Sequence, residues 1–165
     1  MCFSAAASFA TVAVNAVIGI AIWGKAPARR EMPLAVFPLL FAVQQSVEGV
    51  LWLYLPGATM QSPETLSLAM IFIVFAEIMW PVLTPIAVLM IEPERRRRQI
   101  LRGLALLGLV VAGYLLHAIL DSPIKAKIYD NNIRYFNDFY YLIPYRLLYV
   151  TAITGPLLLS SHRTV

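Results

Sequence analysis

Five stretches of the chain, residues 5–23, 33–55, 66–91, 100–120 and 142–159, are strongly apolar, and none carries more than one charged residue. A helix rising 1.5 Å per residue needs about 20 apolar residues to cross a hydrocarbon core about 30 Å thick. Only helices and closed barrels satisfy every backbone polar group inside that core, and a membrane strand needs only about 9–11 residues. The runs therefore predict an all-α, polytopic transmembrane bundle of about five helices, with residues 1–165 forming a single integral membrane domain. Composition agrees: 60% of residues are hydrophobic and 13% are charged, against about 45–50% and about 25% in soluble domains.

Punctuation at the run ends fits helix termini. Trp23-Gly24 closes the first, Pro33 opens the second and Pro56-Gly57 ends it. Glu92-Pro93, Asp121-Ser122-Pro123 and Ser160-Ser161 close the others. Pro81 and Pro85 lie inside the third run and predict a kink. Pro81 has no N–H, so an α-helix there frees the carbonyl four residues back, that of Glu77. The first run lacks a basic segment before it and a cleavage site after it, so it reads as a retained helix.

Basic residues set the expected orientation. Lys25, Arg29 and Arg30 follow the first run, and Arg95, Arg96, Arg97 and Arg98 follow the third, with Arg102 just beyond. The positive-inside rule puts both loops in the cytoplasm of a plasma (inner) membrane, with the N-terminus outside and the C-terminus inside. The arginine run reads as a solvated topology signal that also attracts anionic lipid. Basic residues placed between apolar runs, without an aromatic-basic platform, argue against nucleic acid. The last loop, Lys125 to Phe136, has β-branched and aromatic residues around Asp130-Asn131-Asn132 and predicts a short β-hairpin lying on the helix ends. Phe139, Tyr140, Tyr141 and Tyr145 follow it as an aromatic belt.

Ionisable residues inside a membrane are costly and mark candidate functional positions. They are Glu48, Glu77, His117 and Arg146, joined by the neutral polar groups Gln44, Gln45 and Asn15. Gln44, Glu48 and Trp52 fall at i, i+4 and i+8 on one helical face, and Gly49 allows close helix approach. A ligand site built from Gln44, Gln45, Glu48, Trp52, Glu77 and Arg146 is one reading; helix-to-helix hydrogen bonding is the other. Glu48 lies roughly 6 Å and His117 roughly 10 Å outside the midpoints of their helices, at 1.5 Å per residue. Cys2, the single cysteine, excludes an internal disulfide. After methionine removal it would offer an α-amine beside a thiol. With Glu48 and His117 that pair makes a donor set for a transition metal. Ser160-Ser161-His162-Arg163 are placed to cap the last helix.

The opening Met1-Cys2-Phe3-Ser4-Ala5-Ala6-Ala7-Ser8-Phe9 resembles the start of a family of uncharacterised bacterial multi-pass membrane proteins. The resemblance continues through Pro38-Leu39-Leu40-Phe41, Gln44-Gln45, Glu48-Gly49, Trp52, Trp80-Pro81, Glu92-Pro93, Ile133-Arg134-Tyr135 and Gly155-Pro156-Leu157 to Ser160-Ser161-His162-Arg163. It implies an integral membrane protein with a domain of unknown function, and members that run on into two further apolar segments. It brings no activity with it.

Three functional classes fit these residues. One is a membrane protein, an enzyme or a binder, holding a metal or small ligand at a polar site in the outer half of the bundle. Another is an accessory subunit of a larger membrane complex or a homo-oligomer. The third is a transporter or channel component, suggested by Glu77 and the predicted kink.

Overall fold

The computed structural model describes residues 4–25, 28–57, 62–136 and 143–160. Helix α1 spans Ala5–Gly24 and begins where the Ser4 Oγ accepts from the Ala7 N–H at 3.2 Å. A short α2, Met32–Ala35, leads almost directly into α3, Phe37–Tyr54, which ends in a 3₁₀ turn at Leu55–Gly57. Helix α4, Pro63–Ile73, is capped by Ser62 and has proline at its first position, where the missing N–H costs nothing. A π-helical segment, Val74–Met79, joins it to α5, Trp80–Ile91. Helix α6 spans Arg95–Asp121. Strands β1, Lys125–Tyr129, and β2, Asn132–Phe136, form an antiparallel hairpin. Helix α7 spans Ile143–Leu159.

Four of these segments are long and apolar enough to cross a membrane: Ala5–Gly24, Met32–Gly57, Pro63–Ile91 and Arg95–Asp121. The fifth, α7, has 17 residues, about 26 Å of helix, at the short end of what spans a bilayer. It nevertheless packs on both α5 and α6 as a full member of the bundle. Helix α1 packs on α3 and buries little else; only Ser8 and Gly19 along its length are buried. Gly49 does permit close approach, because a Cβ there would lie 2.9 Å from the Phe9 ring.

The contact between α5 and α6 is closer still. A Cβ on Gly108 would overlap the Pro81 carbonyl. Apolar side chains gain little from leaving lipid for a protein interior, so membrane helices depend on small residues that let backbones touch. Gly108 is such a residue.

The expected irregularity in the third run is a π segment placed just ahead of Pro81. Pro81 has no N–H to give this turn, and the Tyr149 hydroxyl of α7 donates to the Ala76 carbonyl, one residue before Glu77.

The other end of the bundle is held by arginines. Arg97 Nε donates to Glu94 Oε2 at 2.7 Å, and its Nη1 donates to the Leu159 carbonyl at 2.7 Å. Arg98 Nη1 donates to the Glu92 carbonyl at 3.1 Å, and the buried Glu92 carboxylate accepts from the Glu94 N–H. Two of the four arginines therefore stitch the start of α6 to the end of α7 and to the preceding turn; Arg95 and Arg96 stay exposed. The cap on α7 comes from Arg97 of another helix. His162 and Arg163, expected to supply it, lie outside the described residues.

The hairpin forms as expected and sits on helix ends. Asp130 and Asn131 have φ of 47° and 56°, the left-handed pair that a two-residue type I′ turn requires and that Asp and Asn tolerate. Ala126, Ile128, Ile133 and Tyr135 share the inward face, where Ala126, Ile133 and Tyr135 join Leu51, Ala69, Phe72, Ile73, Ile119 and Ile124. Lys127 and Arg134 pair on the outward face, and the Arg134 guanidinium lies 4.1 Å from the Tyr129 ring centre.

Candidate functional site

Beneath the hairpin lies a cavity of about 140 Å³, lined by Ile73, Glu77, Ile124, Tyr135, Phe136, Tyr145 and Arg146. Five elements meet there, with Ile73 coming from the end of α4. The π segment presents Glu77, the start of α7 presents Tyr145 and Arg146, β2 presents Tyr135 and Phe136, and Ile124 comes from the turn before β1. A π segment widens one helical turn, and such turns recur at functional sites. Here it carries the acidic residue of the cavity.

The polar groups are held to different degrees. Tyr145 Oη donates to Glu77 Oε2 at 3.4 Å, longer than a full O–H···O bond. Among the described residues, Arg146 forms neither a hydrogen bond nor an ion pair, and Glu77 has no basic partner within 4 Å. A carboxylate and a guanidinium thus line one cavity without closing on each other. The Tyr135 hydroxyl is buried with no hydrogen-bond partner among the described residues. Its ring stacks on Phe72, with centres 4.8 Å apart and planes 4° from parallel. Burial, and then the nearby Glu48 carboxylate, push the Tyr135 phenol above its ordinary value.

Of the residues singled out in the sequence, Glu77 and Arg146 are brought together. Glu48 is fully buried, near enough for its charge to act on the Tyr135 phenol, and does not line the cavity. Gln44, one turn from Glu48, accepts from Trp80 Nε1–H at 2.8 Å. Phe41 stacks on the same indole at 4.2 Å, and Phe37 meets it edge-on at 5.2 Å. Gln44 is therefore a strut between α3 and α5. Gln45 and Trp52 are half-buried and do not line the cavity. His117 is exposed on α6, on a surface shared with Gly113, Leu116, Leu120 and Asp121. Asn15 bonds back to the Thr11 carbonyl within α1.

The expected metal set of Cys2, Glu48 and His117 divides in the same way. Cys2 lies outside the described residues, Glu48 is buried and His117 is exposed. Among the described residues, no group of three His, Cys, Asp or Glu side chains is placed to hold a metal ion.

A family model matches the chain over residues 1–165, and its description is a family of unknown function, DUF6629. The chain belongs to that family. Neither the curated proteins nor the solved structures contain a match to it.

Sequence reasoning missed Tyr135, Tyr149 and the lining role of Tyr145. A signal existed: Tyr145 and Tyr149 stand four residues apart and flank Arg146, so one face of α7 carries two phenols beside a charge.

Proposed function

We propose that this membrane protein binds a small zwitterionic ligand in the cavity between Glu77 and Arg146. One observation carries the reading: two opposite charges line the same small space and do not pair with each other. Ionic groups beside hydrocarbon are costly, and pairing relieves most of that cost. A ligand bearing an anionic and a cationic group would supply both partners at once. The volume suits a small polar group, since a water molecule takes roughly 30 Å³ in the liquid and the cavity is several times larger.

In this reading Arg146 holds the ligand's anion, favouring phosphate or carboxylate because guanidinium presents a planar fork of donors. Glu77 holds the ligand's ammonium. The free Tyr135 hydroxyl and the loosely held Tyr145 hydroxyl complete the shell. Gln44 and Glu48 act behind it, Gln44 by fixing α3 against Trp80 and Glu48 by facing Tyr135. With the orientation expected from the basic loops, the ligand enters from outside the plasma membrane.

The test is titration of phosphoethanolamine, a small zwitterion, into the full chain in nanodiscs. Glu77→Gln and Arg146→Gln should each weaken binding by about tenfold or more, which corresponds to about 1.4 kcal/mol. Equal binding by the wild type and both variants would overturn the reading.

A further inference from the structure

A second cavity shares a wall with the first. It holds about 210 Å³ and is lined by Val110, Val111 and Tyr114 of α6 and by Pro144, Tyr145 and Leu148 of α7. Tyr145 borders both spaces, with its hydroxyl turned to Glu77 in the polar one. Apart from the tyrosines the lining of the second space is wholly aliphatic. Val110 and Leu148 are exposed on the flank of the bundle, where four helices are of membrane-spanning length.

The two spaces lie side by side at the start of α7, where Tyr145 and Arg146 line the polar one and Pro144, Tyr145 and Leu148 line the apolar one. A polar chamber with an aliphatic groove beside it, the groove opening on the flank of the bundle, offers separate surroundings to the head and the chain of one lipid. Neither space alone reaches the roughly 300 Å³ at which ligand pockets begin, and together they pass it.

We infer that the ligand is a membrane amphiphile, with a zwitterionic head between Glu77 and Arg146 and an acyl chain in the groove between α6 and α7. This rests on the binding reading above and names the class of ligand. An acyl chain gains little by moving from lipid to an apolar groove. The groove therefore acts as a side door. It lets a lipid already in the bilayer keep its chain in apolar surroundings while its head reaches the cavity. A soluble head group can come from the aqueous end and has no use for the groove.

The experiment compares two probes on the full chain by native mass spectrometry: lysophosphatidylethanolamine and phosphoethanolamine, the same head without a chain. Leu148→Trp and, independently, Val110→Trp fill the groove without touching the polar cavity. The inference predicts that each substitution lowers lysophosphatidylethanolamine binding at least tenfold and leaves phosphoethanolamine binding unchanged. Lysophosphatidylethanolamine binding that survives both substitutions would overturn the amphiphile while leaving the head-group site intact. Phosphoethanolamine binding without lysophosphatidylethanolamine binding would also overturn the amphiphile alone, and failure of both probes to bind the wild-type chain would overturn the site itself.

Discussion

The Tyr149 hydroxyl of α7 donates to the Ala76 carbonyl, inside the π segment that precedes Pro81. The π segment is thus held by a side chain from another helix, and Glu77, the next residue, takes its position from that contact. Tyr149→Phe should lower stability by about 1 kcal/mol, as expected for a hydrogen bond to a partly buried backbone carbonyl. It should also speed amide exchange across residues 74–79. Hydrogen exchange with mass readout checks both effects; exchange unchanged in that segment would show that the π turn holds itself.

Gly108 and Gly103 lie on the same helix and should respond in opposite ways. Gly108→Ala places a methyl on the Pro81 carbonyl and forces α5 and α6 apart, which overpacked sites elsewhere pay for with about 1–3 kcal/mol. Nothing lies within 4 Å of a Cβ on Gly103. Gly103→Ala should therefore be neutral or stabilise by up to about 1 kcal/mol through helix propensity. Thermal unfolding of the two variants in one detergent checks the contrast.

Arg97 and Arg96 are neighbours with different work. Arg97→Ala removes the donor to the Leu159 carbonyl and the bond to Glu94, both partly exposed, and should cost about 1 kcal/mol. Arg96 is exposed, and Arg96→Ala should stay within about 0.5 kcal/mol of the parent. Unfolding of both variants, with fraying of α7 read by exchange at its last turn, separates a cap from a surface charge.

Tyr135 gives a pH dependence. Burial and Glu48 raise its phenol in the folded chain, whereas an unfolded tyrosine titrates near pH 10. Above about pH 10 the unfolded chain loses a proton that the folded chain keeps, so stability is full below that pH and falls as pH rises. Tyr135→Phe should flatten this alkaline limb. It should also leave neutral-pH stability equal or higher, because it removes a buried hydroxyl without a partner among the described residues. Unfolding followed from pH 8 to pH 11 checks the slope.

Much of this architecture was legible in the sequence because it depends on composition and local geometry. Apolar runs of about 20 residues have few folding options, and Asp130-Asn131 between β-branched residues specifies a tight turn. Gly49 was legible as a contact for the same reason. What escaped depends on partners from distant parts of the chain. Periodicity places Gln44, Glu48 and Trp52 on one face but says nothing of Trp80 as the partner of Gln44. His117 and Glu48 match in depth yet differ completely in exposure, since depth carries no rotational information. A proline marks an irregular turn, but nothing local shows that Tyr149, 73 residues from Ala76, donates to the Ala76 carbonyl. The arginine run looked like a solvated signal because nothing local shows that the Leu159 carbonyl lies within reach of Arg97.

The central claim is that Glu77 and Arg146 receive the two ends of one zwitterion, and dissecting that zwitterion tests it most directly. Affinities of phosphoethanolamine, ethyl phosphate and ethylamine would be measured by titration into the full chain in nanodiscs. The account predicts that the whole molecule binds at least tenfold more tightly than either half, and that Glu77→Gln reduces it to the affinity of ethyl phosphate. Ethyl phosphate or ethylamine binding as tightly as the whole, with Glu77→Gln without effect, would contradict it.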